Sequence, residues 1–144
     1  MSLDMDGLSS AASIIAVIQL TGSIVKICGS YIHEVKDARD DIVALQRAVA
    51  GLEGVFHKLN DLLQEPKSPR LSASSSLVNS ISDCLLCLES LKEKIDPMRG
   101  KRLMRRLGFQ ALKWPLKRTV VDKTIQDLER YKSTFILSLQ VDQT

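Results

Sequence analysis

Proline, glycine and aromatic residues are scarce in this sequence, and their scarcity excludes several kinds of fold. The 144 residues include four prolines, seven glycines and one tryptophan, and aromatic side chains account for 4% of the chain. Sandwiches and barrels need turn residues at intervals of about eight to twelve positions, so this composition argues against them. A hydrophobic content of 44% and a charged content of 26% are typical of a folded domain. We therefore expect one domain with its own core.

Motifs for catalysis, metal binding and cofactor binding are also missing. Neither G-x-x-x-x-G-K nor G-x-G-x-x-G occurs. Cys84 and Cys87 have the spacing of a thiol pair or half of a zinc site, but no second pair of ligands completes it. Two small apolar residues on a helix are the favoured interpretation. His33 and His57 are solitary, and the carboxylates do not converge as an acid–base pair must. We expect no enzymatic activity, no cofactor and no metal.

A secretory signal is missing too. Asp4 and Asp6 occupy the positions where a signal peptide would carry lysine or arginine. Three cysteines is an odd number for a framework of disulfides. These features predict a cytoplasmic protein with reduced thiols.

What the chain does contain is an apolar N-terminal segment. Gly7 to Val25 carries no charge, and apolar residues recur at spacings of three and four, which predicts a helix over 7–35. Nineteen uncharged residues approach the length of a membrane span. Six serine, threonine and glutamine side chains argue against a permanent span. Two alternatives remain: the central helix of a bundle, or a segment that leaves the bundle and enters a membrane.

Three more amphipathic helices are predicted over 38–64, 74–95 and 119–141. Their apolar residues also recur at spacings of three and four, and a loop rich in proline and serine separates the first two. Asp37 is the predicted N-cap of the helix over 38–64, and Thr119 with Asp122 resembles a capping box. Four such helices bury their apolar faces most simply as an all-α, up-and-down bundle.

Eight basic residues with no acid among them form what we term the basic belt: Arg99, Lys101, Arg102, Arg105, Arg106, Lys113, Lys117 and Arg118. The net charge is +3, so the rest of the chain carries −5. A short basic helix is predicted over 98–114. Its charges are compatible with a solvated face, with nucleic acid or with a membrane surface. Few aromatic residues are available for stacking on bases, whereas cations interleaved with Leu, Met, Phe and Trp are typical of interfacial helices.

The C-terminal third resembles a known family. The strings Leu112–Leu116, with sequence LKWPL, and Leu128–Phe135, with sequence LERYKSTF, are similar to the end of the N-terminal domain of fungal STAND proteins. Those proteins are NLR-like receptors with NACHT or ankyrin-repeat modules downstream. The opening, from Gly7 to Ala38, is similar to the start of the same domain. The resemblance implies a HeLo-like helical bundle, either as part of a longer protein or as a stand-alone effector.

In that family the bundle is a membrane-targeting, cell-death-inducing or signalling domain. The resemblance therefore implies roles in programmed cell death, heterokaryon incompatibility and innate immunity, with recruitment to the membrane and disruption of it by the N-terminal helix after oligomerisation. We expect a homo-oligomer, with a dimer as the simplest case, and anionic lipids as partners. The residues assigned to membrane binding are the basic belt together with Trp114. Those assigned to insertion are Leu8, Ile14, Ile15, Val17, Ile18, Leu20, Ile24 and Val25.

A second function, from a different class, is compatible with the same sequence. The bundle would then be an adaptor or oligomerisation module that binds other proteins and never contacts lipid.

Overall fold

The structure is a computed structural model, which describes residues 3–35, 37–64, 75–96 and 113–143. Four helices occupy these ranges: α1 Leu3–Glu34, α2 Arg39–Gln64, α3 Ser75–Ile95 and α4 Arg118–Gln143. No strand occurs in them, so the prediction of an all-α fold is confirmed. The short basic helix predicted over 98–114 lies outside the described residues, except for Lys113 and Trp114, which are not helical.

The helices are arranged around one core in the order α1, α2, α4, α3. Helix α1 packs on α2 and α3, while α4 packs firmly on α2 and only lightly on α3. Tyr31 near the end of α1 contacts Ile95 at the end of α3, so these two helices are parallel. Arg118 at the start of α4 contacts Asp41 near the start of α2, so that pair is parallel as well.

Direction alternates along the chain, as in an up-and-down bundle, but the neighbours are not those of the simplest such bundle. There, successive helices lie side by side all the way round. In this protein α2 and α3 lie diagonally across the core, and α1 takes the position between them. The most apolar helix is thus covered from two sides.

The core consists of the apolar residues that recur at helical spacing. On α1, α2 and α3 these residues are buried along the described length of each helix. On α4 the buried positions are fewer: Val121, Leu128, Phe135 and Leu139, with Ile125 and Tyr131 only half-buried. Phe135 packs edge-to-face on Phe56 of α2, with ring centroids 4.7 Å apart. The weaker burial of α4 reflects its light contact with α3.

Both predicted N-caps are wrong by one or two residues. The amide of Ile42 donates to the carbonyl of Ala38, which makes Ala38 the cap of α2 in place of Asp37. Ala38 has a φ of 64°, the left-handed conformation that reverses the chain between α1 and α2. The amides of Val120 and Val121 both donate to the carbonyl of Lys117, so the cap of α4 precedes Thr119.

Two glycines inside α2 have different surroundings. A Cβ at Gly51 would lie 3.2 Å from the Nζ of Lys132 on α4, so the end of this lysine side chain packs against the glycine. A Cβ at Gly54 would meet nothing within 4 Å.

We expect Gly54→Ala to raise the free energy of unfolding by about 0.5–1 kcal/mol, because alanine loses less backbone entropy in a helix and fills only open space. Urea unfolding followed by circular dichroism measures the change. Gly51→Ala is the matched control and should gain less, since the Lys132 ammonium has to move. A Gly54→Ala variant no more stable than the parent would contradict this description of the helix.

Candidate functional site

Most of the residues predicted to insert into a membrane pack against the core. Ile14, Val17 and Ile24 are fully buried. Ile18, Leu20 and Val25 are half-buried and pack on the edge of the core. Ile15 is 45% exposed, and Leu8 lies on α1 with its side chain outside the described part.

One helix in the described ranges is long and apolar enough to cross a membrane. This is Ala11–Glu34, and 28% of its most apolar 18-residue window is buried inside the protein. Length and composition alone are weak grounds for a span, because the core helix of a soluble protein passes the same test. Among the residues of α1 whose side chains are described, Ile15 is the one large apolar residue that is exposed.

The C-terminal half of α1 is held by hydrogen bonds to two other elements. The Gln46 side chain on α2 donates its Nε2 to the carbonyl of Val25 over 3.0 Å. The Tyr31 hydroxyl donates to the carbonyl of Ile95 over 2.9 Å, inside the core. Ile95 is the last residue of α3, so its carbonyl has no hydrogen-bond donor within its own helix.

The N-terminal half of α1 is held differently. Residues 11–21, all of which the structure describes, make no side-chain hydrogen bond to another helix. Thr21 is fully buried, but its hydroxyl donates back to the Ile18 carbonyl of the same helix over 2.8 Å. Gly22 has open space where a side chain would lie. Apolar packing is therefore the interaction that retains residues 11–21.

Five members of the basic belt lie outside the described residues: Arg99, Lys101, Arg102, Arg105 and Arg106. The other three, Lys113, Lys117 and Arg118, are exposed at the end of the bundle where α3 finishes and α4 begins. Arg118 is partly neutralised, because its Nε lies 3.3 Å from the Asp41 carboxylate. Such an exposed pair is weak, on the order of 0–1 kcal/mol, so a stronger anion can displace it.

Trp114 packs inward instead of facing solvent. Its ring lies edge-on to Tyr31, with centroids 4.9 Å apart and planes at 83°. Its indole nitrogen is buried and has no hydrogen-bond partner in the part of the chain that the structure describes. The assignment of Trp114 to membrane binding stays a prediction, and this packing argues against it in the conformation described.

The three cysteines do not form a reactive pair. Cys28 and Cys84 are fully buried, and loss of hydration raises the pKa of each thiol to about 12. Cys87 is half-buried, and burial and the charge of Asp127 raise its pKa as well. No cluster of three or more metal-binding side chains occurs in the described ranges.

A groove of about 460 Å³ opens where α4 packs lightly on α3. Its lining consists of Cys87, Ser90, Leu91, Lys94, Thr119, Val120, Lys123, Thr124 and Asp127. Sequence reasoning missed this site because each helix supplies only half of it. The residues of each helix show a groove only once the neighbour of α4 is known.

Comparison with known proteins identifies no relative: no family model, curated protein or solved structure matches this chain.

The hydrogen bond from Tyr31 to α3 is expected to contribute measurably to stability. Tyr31→Phe should lower the free energy of unfolding by about 1 kcal/mol, because the buried carbonyl of Ile95 loses its donor while the ring contact with Trp114 stays. Urea unfolding followed by the fluorescence of Trp114, the single tryptophan, measures the loss. Tyr131→Phe is the control: its ring is half-buried and its hydroxyl makes no hydrogen bond to the described residues. Equal losses in the two variants would contradict the assigned role.

Proposed function

We propose that this chain is a HeLo-like, membrane-targeting domain in which the bundle stores α1 and self-association at a membrane releases its N-terminal half. The observation that carries the proposal is the division of α1. Residues 11–21 are uncharged and retained only by apolar contacts, whereas the half that follows is hydrogen-bonded to α2 and α3. Such a division lets one half move while the other, which includes the predicted inserting residues Ile24 and Val25, remains attached to the bundle.

Transfer of the N-terminal half of α1 from the protein core to the lipid chains is energetically feasible. Apolar side chains such as Ile14 and Val17 lose little on moving from a protein core to lipid chains, since both surroundings are apolar. A helix satisfies its own backbone hydrogen bonds, as a segment in hydrocarbon must. Gln19 and the serines of the segment need partners there, and neighbouring copies of the same helix supply them. Self-association is therefore part of the proposal.

The basic belt provides the attraction to the membrane surface. Each lysine or arginine near an anionic leaflet contributes on the order of 1 kcal/mol. The exposed Lys113 and Lys117 lie at one end of the bundle and would face such a surface. The sequence resemblance to the N-terminal domains of fungal STAND proteins suggests the setting: a cytoplasmic effector of programmed cell death in heterokaryon incompatibility and innate immunity, with NACHT or ankyrin modules in a longer parent protein.

An adaptor module that binds only proteins is the second candidate. The inward packing of Trp114 and the pairing of Arg118 with Asp41 favour it, because both reduce what the belt offers to lipid. It predicts oligomers that form with rising concentration and no sedimentation with lipid at any salt concentration.

A charge placed on the exposed side of α1 tests the proposal without opening the core. Ile15→Glu should leave the fold and vesicle binding intact but abolish leakage of dye from anionic vesicles. A charged side chain in the bilayer interior costs roughly 3 kcal/mol or more, which disfavours insertion. Leu137→Glu is the matched control, because Leu137 is 61% exposed on α4 and is not part of the inserting segment. Anionic vesicles treated with this control should release as much dye as vesicles treated with the parent.

Replacing Arg102, Arg105 and Arg106 together with Glu tests the basic belt separately, and binding to anionic vesicles should fall. Unchanged binding would remove the belt from the proposal. If vesicles leak dye equally with the parent and with Ile15→Glu, the proposal that α1 inserts is wrong. A parent that binds no vesicles but still oligomerises would favour the adaptor.

A further inference from the structure

The groove between α3 and α4 has the chemistry of a site for an anionic headgroup. Lys94 comes from the last turn of α3 and Lys123 from the second turn of α4, and both line the opening. Both are exposed, and neither lies within ion-pair distance of a carboxylate among the described residues. Two positive charges thus line one cavity, together with a single carboxylate, that of Asp127.

The single carboxylate in the lining is already paired. Asp127 accepts a hydrogen bond from the Nη2 of Arg130 over 3.2 Å. This pairing reduces the repulsion that an entering anion would meet. The cavity therefore keeps a net positive charge, carried by Lys94 and Lys123.

The remaining lining suits an amphiphile better than a bare ion. The hydroxyls of Ser90 and Thr119 can donate to anionic oxygens. The hydroxyl of Thr124 is occupied, since it donates to the Val120 carbonyl over 2.7 Å. Leu91 and Val120 provide apolar surface beside these polar groups, which suits the hydrocarbon next to a headgroup.

We infer that this groove binds the phosphate of an anionic phospholipid. The phosphate would lie between Lys94 and Lys123, with the start of the acyl region against Leu91 and Val120. The exposed cations Lys117 and Arg118 directly precede Thr119 of the lining in the sequence, and α4 begins at Arg118. An anionic phospholipid in the groove would therefore have positive charge nearby in the chain as well as in the lining. The inference rests on the proposed membrane function and names the lipid site within it.

Cys87 is a built-in reporter of occupancy. It lines the groove and is half-buried, while Cys28 and Cys84 are fully buried. In the folded protein a maleimide should therefore label Cys87 first, and Cys87→Ser should remove that labelling. A bound headgroup should slow labelling about fivefold or more. Each protein is compared with itself with and without vesicles, because the charges of Lys94 and Asp127 also affect the thiol.

The experiment compares two charge-reversed proteins on vesicles of phosphatidylcholine with or without 30% phosphatidylserine. Lys94→Glu with Lys123→Glu should weaken partitioning onto the anionic vesicles about tenfold or more and abolish protection of Cys87. Arg47→Glu with Lys58→Glu makes the same change in net charge at two exposed positions of α2. This control should bind more tightly than the groove variant and keep the protection.

The outcomes separate the lipid site from the proposed function. If the parent binds anionic vesicles and the groove variant binds equally well, the lipid site is wrong while the membrane function stands. If the parent binds no vesicles, both are wrong. If inorganic phosphate at millimolar concentration protects Cys87 as fully as the vesicles do, the groove is a site for free phosphate and the lipid assignment is overturned.

Discussion

Covering α1 is the constraint on which the rest of the structure depends. This helix has no charge from Gly7 to Val25, so water disfavours most of its surface and other helices must bury it. Its position between α2 and α3, which lie diagonally across the core, gives it two covering partners. The apolar residues of α2 and α3 are consequently buried along their described length, and α4 completes the bundle mainly through α2.

The two halves of α1 are covered by different kinds of interaction. Hydrogen bonds from Gln46 and Tyr31 are directional, so they hold the second half in one register. Apolar packing holds residues 11–21 of the first half, and lipid can replace such packing while the backbone hydrogen bonds of the helix stay satisfied. The light contact between α3 and α4 has a separate consequence: it leaves a polar groove beside the exposed cations, on the opposite edge of α3 from the stored helix.

The sequence predicted the fold class well because helical periodicity is a local property. Residues such as Ile42, Leu45 and Leu52 recur at spacings that bury one face in any bundle, and they are buried here. The order of the helices was not predictable in this way. It depends on contacts such as Phe56 with Phe135, which join residues far apart in the sequence. The cap at Ala38 was missed because a left-handed alanine departs from ordinary cap preferences.

The candidate site was predictable only in part. The uncharged segment of α1 and the basic belt are visible in the sequence, since charge and its absence need no coordinates. Trp114 belongs to the same string as the belt, but its contact with Tyr31 arises from the packing of α1 near the end of α3. The groove combines residues from two helices, so neither Lys94 nor Lys123 is distinctive in the sequence alone.

The central claim is that the first half of α1 leaves the bundle and enters the bilayer, and depth-dependent quenching tests it most directly. A fluorophore attached at Ile15→Cys in a Cys87→Ser background reports the position of α1, and one at Leu137→Cys reports the position of α4. On anionic vesicles with brominated acyl chains, we predict strong quenching of the label at position 15 and little at position 137. A protein that sediments with these vesicles while its label at position 15 stays unquenched would contradict the account.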